Sequence, residues 1–164
     1  MKPSIGALKF GALIAALALL MSPSSQAGAR STNIDNQLRE AIARVRRTKS
    51  VVHRLAAAEH LLALTDNCDC SAVTDDTIHS LVSLLNIDDD GVQMWVAASL
   101  GTFGGRAKEA IPKLLSIYSV SACQILDRGS PATIPIALKE MGVTAPKPDC
   151  ASRWARDAGQ THPK

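Results

Sequence analysis

The chain has 164 residues, of which 46% are hydrophobic, and its formal net charge is +3 at pH 7. This length is that of one ordinary domain, and it is enough to bury a core without help from a metal. So small a positive charge argues against a nucleic-acid-binding protein, whose binding face needs a strong excess of lysine and arginine. We therefore expect one folded domain and no nucleic-acid partner.

The N-terminal segment has the pattern of an export signal. Lys2 and Lys9 precede an apolar run, Phe10–Met21, and residues 25–27 then fit the cleavage pattern, with small residues at Ser25 and Ala27. The run of about 12 residues is too short to span a bilayer, which takes about 20. We predict that residues 1–27 are a cleaved signal peptide and that the mature protein is periplasmic or secreted with no membrane span. A retained anchor is the alternative.

Six segments of the mature chain carry apolar residues at the spacing of a helix. Their ranges are 34–47, 51–67, 75–85, 90–103, 111–118 and 134–141. We expect the second segment to bury its apolar stripe, which consists of Val51, Leu55, Ala58 and Leu62. A short final helix is expected over residues 152–158. No segment of useful length alternates with the two-residue period of a strand, so the chain is predicted to be all-α.

Short oxygen-bearing side chains precede two of these segments. Thr74 or Asp75 can cap the third helix by accepting from its free amides, and the acidic turn Asp88–Asp90 can cap the fourth. We therefore interpret this acidic turn as a helix-capping corner.

The stretch from Leu81 to Leu115 resembles HEAT-like repeats. Its acidic turn leads into a small-residue helix, Val96–Gly101, and Ala110–Leu115 opens the next helix. The run Arg54–Ala58 is similar to Trp95–Ser99, at an offset of about 41 residues that lies within the period of such repeats. The resemblance implies a short right-handed stack of about three antiparallel helix pairs over residues 31–144. In the family, the second helices of successive pairs line a surface that binds other proteins.

One position departs from the family pattern. Gln93 stands after Val92, where repeats of this kind usually have an arginine that bonds aspartates of the neighbouring repeat. Glutamine can donate a hydrogen bond but carries no charge. We therefore expect a short array without a full arginine–aspartate ladder.

The four cysteines are predicted to form two disulfides. An even number of cysteines in an oxidising compartment favours this interpretation. Cys68 and Cys70 are separated by one residue, and a bond between them would close a very tight ring. We therefore expect each to pair with Cys123 or Cys150. Such bonds would tie residues 145–164, a C-terminal strap and tail, to the loop after the first helix pair.

Candidate partner-binding residues are an aromatic side chain and a basic cluster. Tryptophan and arginine carry much of the binding energy at protein interfaces. We select Trp95, Arg44, Arg46 and Arg47 on this ground. Trp95 has an equally good alternative role in the core beside Val92 and Ser99.

The sequence gives little indication of catalysis. It lacks a nucleophile elbow, a zinc-protease motif and a phosphate-binding loop, so we predict no enzymatic activity and no cofactor. The residues Asn86, Asp88 and Asp90 resemble the start of a calcium loop, but Ala97 stands where the loop needs a bidentate glutamate. We predict no metal site there.

A soft-metal site is a further alternative. Its ligands would be the imidazole and thiolate groups of His60, Cys68, Cys70 and His79. The same thiols would have to be free, whereas export favours their pairing.

These observations lead to a prediction of function. We expect an exported protein–protein interaction module without catalytic activity, which binds a periplasmic or secreted partner. One alternative is a periplasmic immunity protein against a secreted toxin, and another is a periplasmic metal-binding carrier. A homodimer is one way to cover the apolar ends that a short array leaves open.

Overall fold

The computed structural model describes residues 24–123 and 129–150. Its helices are α1 (Ser24–Arg47), α2 (Val51–Asp66), α3 (Asp75–Val82), α4 (Asp90–Thr102), α5 (Ile111–Ser121) and α6 (Ser130–Glu140). Three 3₁₀ segments, Cys70–Ala72, Ser83–Asn86 and Gly104–Ala110, connect some of them. No strand occurs in these two ranges, and the all-α prediction is confirmed. Helix α1 begins earlier than the predicted residue 34.

Two predicted segments lie outside the described residues. These are most of the signal peptide and the short helix over residues 152–158. Within the part of the chain that is described, no helix combines the length and the apolar character needed to cross a bilayer.

The even-numbered helices pack side by side in chain order. Helix α2 contacts α1 and α4, and α4 contacts α2 and α6. Helix α3 contacts α1 and the segment Gly104–Ala110, while α5 packs on α6. The side chains of Leu61, Val96 and Leu138 are fully buried where these helices meet. One hydrophobic core therefore runs through all six helices.

The two predicted caps are present. The Thr74 side chain accepts from the Thr77 amide at the start of α3, and the Asp89 side chain accepts from the Val92 amide at the start of α4. Gln93 donates from Nε2 to the carbonyl oxygen of Ile87 at 2.9 Å. The Gln93 amide thus hydrogen-bonds within the turn that precedes α4, and the acidic turn Asp88–Asp90 caps the start of α4.

The predicted inner face of α2 is right at Ala58 but wrong at Val51 and Leu55. Val51 is 62% exposed and Leu55 is 36% exposed, whereas Ala57, Ala58, Leu61 and Thr65 are buried. Helix α2 lies between α1 and α4, and small side chains let these neighbours approach closely. The Leu55 side chain instead fills the space beside the Cα atom of Gly91 on α4. Because α2 packs against both α1 and α4, its buried face starts with Ala57 and Ala58 rather than with Val51.

The predicted disulfide pairing is also wrong. Cys68 is bonded to Cys70 and Cys123 to Cys150, with Cα atoms 5.1 and 5.2 Å apart. The chain turns sharply between the end of α2 and the 3₁₀ segment at Cys70, which brings the first pair together. The strap after α6 returns to the end of α5, which brings Cys150 to Cys123.

Candidate interaction surface

An open groove crosses α2, α4 and α6 near their C-terminal ends. Its volume is about 550 Å³, and its lining consists of Leu62, Asp66, Ala98, Gly101, Thr102, Phe103, Gly104, Thr133, Ile136, Ala137 and Glu140. All three helices pack in sequence, so the groove lies on a surface that they share.

The groove has a tightly packed floor and an apolar wall. A Cβ atom on Gly101 would lie 3.2 Å from the Cα atom of Ala137, so α4 and α6 are close there. Ile136, in contrast, is 63% exposed on the wall. An exposed isoleucine beside a concave surface offers a contact for an apolar side chain of a partner.

Two carboxylates give the groove a negative character. Asp66 ends α2 and Glu140 ends α6, and both are exposed. The described residues that line the groove include no lysine or arginine. The C-terminal ends of three helices add partial negative charge. The groove is therefore suited to a cationic group.

Trp95 lies on the groove face of α4. It precedes Ala98 by three positions and Thr102 by seven, which places all three on one side of the helix. Its side chain is half-buried and packs against the core. Trp95 thus has a packing role and also borders the candidate surface one turn from the groove.

The three predicted arginines do not join this surface. They lie on α1, where Arg46 donates to the Ser80 carbonyl oxygen and the Ser83 hydroxyl. Arg47 donates to the carbonyl oxygen of Ala43 within its own helix. Arg44 lines a smaller cleft between α1 and α2. Arg46 therefore connects α1 to the region of α3, whereas Arg44 and Arg47 make no such connection in the contacts described above.

Sequence reasoning missed Ile136, Asp66 and Glu140. The apolar spacing over residues 134–141 indicates the buried face of α6, which consists of Ile134, Leu138 and Met141. Ile136 could have been found as an apolar residue that does not lie on the buried face of its helix. Asp66 and Glu140 are distant in sequence and line the same groove because α2 and α6 both pack on α4.

Three of the four residues considered as metal ligands, Cys68, Cys70 and His79, have other partners. Cys68 and Cys70 are joined to each other, and His79 Nδ1 lies 3.1 Å from the Glu109 carboxylate. Among the described residues, no group of three or more histidine, cysteine or acidic side chains is arranged to hold a metal ion.

Two acidic residues of the turn considered for calcium are likewise engaged. Asp89 caps α4, and Asp90 accepts a hydrogen bond from the Ser130 hydroxyl at the start of α6. This second contact links the N-terminal ends of α4 and α6.

Comparisons with protein-family models, curated proteins and solved structures found no match to this chain. The HEAT-like resemblance thus stays a prediction, and the geometry of the groove is the remaining guide to function.

Proposed function

We propose that the protein is an exported protein–protein interaction module and that the groove across α2, α4 and α6 is its contact surface. The observation that carries this proposal is the combination of an exposed Ile136, a concave floor and two carboxylates in one groove. Interfaces of this kind bury an apolar anchor within a polar rim. The partner that fits is a polypeptide segment with an apolar side chain next to a lysine or arginine.

The order of helix contacts supports a HEAT-like arrangement. In a right-handed stack of helix pairs, the second helix of each pair packs on the second helix of the next. Helices α2, α4 and α6 contact one another in this order. We propose that α1–α2, α3–α4 and α5–α6 are three such pairs, and that the groove is the family's partner-binding side.

Export is the second part of the proposal. The pattern of Lys2, Lys9 and the apolar run after them supports a signal peptide. Two cysteine pairs are in keeping with an oxidising compartment. Cell fractionation and the mass of the mature chain test this part, since a protein retained in the cytoplasm with residues 1–27 attached would contradict it.

The groove is tested with a pair of charge substitutions. Ile136→Glu places a third carboxylate in the groove, whereas Val52→Glu makes the same change at a residue that is 74% exposed and does not line it. Partners captured from the periplasm by the wild-type protein should be retained by Val52→Glu and lost by Ile136→Glu. Binding should also weaken as salt concentration rises, because the proposed contact pairs unlike charges. Equal capture by both variants would exclude the groove as the contact surface.

A further inference from the structure

The disulfide between Cys68 and Cys70 contributes little to holding the fold together. The two cysteines are two positions apart, so their bond restrains one intervening residue. The entropy that a disulfide removes from the unfolded chain increases with the length of the loop that it closes. Cys123 and Cys150 are 27 positions apart, so their bond contributes more to the stability of the fold.

Hydrogen bonds that do not involve sulfur hold the loop around Cys70. Arg106 donates from Nη1 to the Cys70 carbonyl oxygen at 2.7 Å and from Nη2 to the Val73 carbonyl oxygen at 2.6 Å. The Asp69 carboxylate accepts from the amide and the hydroxyl of Ser71. The loop can therefore keep its conformation when the S–S bond opens, and the two thiols would stay close enough to close it again.

The two sulfur atoms have different surroundings. Cys70 packs against the core, and the Arg106 guanidinium contacts its backbone. This packing restricts access to the Cys70 sulfur, and exchange requires access to the sulfur that is attacked. Cys68 follows the groove residue Asp66 by two positions, so Cys68 is the sulfur that a thiol in the groove attacks and Cys70 is the leaving sulfur.

The disulfide loop adjoins the groove through two chain segments. Asp66 lines the groove and Cys68 follows it by two positions, while Gly104 lines the groove and Arg106 follows it by two. Two residues span at most about 7 Å. A cysteine in a polypeptide that occupies the groove is thus within reach of the loop.

We propose that Cys68–Cys70 is a thiol–disulfide exchange site and that its substrate is a cysteine-containing polypeptide in the groove. The substrate half of this proposal rests on the proposed function. A thiolate of the polypeptide attacks Cys68 Sγ, the S–S bond breaks, and its electron pair leaves on Cys70 Sγ. A second thiolate of the polypeptide then attacks the polypeptide sulfur of the mixed disulfide and releases Cys68. Two polypeptide thiols become one disulfide, and their protons end on Cys68 and Cys70.

The first experiment uses reduced glutathione and does not depend on the groove. The exported, oxidised protein is incubated with glutathione, alkylated at intervals and analysed by peptide mass spectrometry. Cys68 and Cys70 should open at least ~10-fold faster than Cys123 and Cys150, because a disulfide that closes a ring of only three residues is the more constrained of the two, and strained disulfides are the more readily reduced ones. Circular dichroism should show the helices unchanged. A Cys68–Cys70 bond that opens no sooner than the other one would overturn the exchange site.

Trapping of the first mixed disulfide identifies the attacked sulfur. The oxidised wild-type protein is exposed briefly to reduced glutathione and quenched with acid, and peptide mass spectrometry should find the glutathione adduct on Cys68 rather than on Cys70. An adduct on Cys70 would overturn the assignment of the two roles.

The second experiment tests the substrate class. The probe is a short synthetic peptide with leucine, lysine and one cysteine, and its rate is compared with that of glutathione. It should react faster than glutathione with the wild-type protein and with Val52→Glu, and it should lose this advantage with Ile136→Glu. A peptide with no advantage in the wild type would overturn the groove-bound substrate. Fast opening by glutathione in the same samples would separate that failure from a failure of the exchange site.

Discussion

At the scale of single residues, a buried carboxylate connects the first and third helices. Asp35 on α1 accepts from the Thr74 amide at 2.9 Å and from Arg39 Nε at 2.8 Å. Burial by itself would raise the pKa of Asp35, but the hydrogen bonds from Thr74, Thr77 and Arg39 lower it to about 2. The ionised form is therefore the one that the fold stabilises.

This contact predicts a loss of stability in acid. The folded-state pKa lies below the ordinary value of 3.8, so the contribution is complete above about pH 4 and is lost as the pH falls through about 2. Its size is about 2 kcal/mol. Asp35→Asn should lower the free energy of unfolding at pH 6 and flatten its change between pH 4 and pH 2, as measured by urea denaturation. Glu59→Gln, at an exposed site on α2, is the control. Parallel pH curves for Asp35→Asn and the wild type would contradict this role.

At the scale of helices, the contact between α4 and α6 depends on one glycine. A Cβ atom on Gly101 would meet the backbone of Ala137 at 3.2 Å, whereas a Cβ atom on Gly105 would meet only the end of the Lys108 side chain at 3.5 Å. The Ala137 backbone cannot move away without shifting α6, whereas the end of the Lys108 side chain can move.

We therefore expect Gly101→Val to destabilise the protein and Gly105→Val to have a smaller effect. Overpacking of a close helix contact costs about 1 to 3 kcal/mol. Thermal unfolding of the two variants measures the difference. Gly101→Val should also reduce partner capture because Gly101 lies in the groove floor. Equal melting temperatures for the two variants would show that α4 and α6 can separate without cost.

At the scale of the whole molecule, the two disulfides should differ in their effect on stability. A loop of 27 positions corresponds to about 3.5 kcal/mol in the chain-entropy model, and a separation of 2 positions to about 1.5 kcal/mol. The double variant Cys123→Ser/Cys150→Ser should therefore unfold at a clearly lower urea concentration than Cys68→Ser/Cys70→Ser. The reverse order of unfolding midpoints would show that the Cys68–Cys70 bond contributes more to stability than the Cys123–Cys150 bond.

Local patterns made much of the fold predictable. The start of α2 at Val51, the cap at Thr74 and the helical spacing within residues 90–103 and 134–141 depend on neighbours within a few residues, and the structure has a helix or a cap at each. The face of α2 could not be obtained in the same way. Its alanines and leucines allow more than one apolar stripe, and the choice was made by contact with α1 and α4 together.

The sequence by itself determined that this protein is helical, where most helices begin and end, and that its cysteines have partners available. Tertiary structure alone decided that Cys68 pairs with Cys70 and that Asp66, Ile136 and Glu140 share one groove. The physical reason is the range of the interactions. Caps and apolar spacing act over one or two turns, whereas the turn after α2 and the packing of α2, α4 and α6 bring together residues whose positions in the chain carry no information about one another.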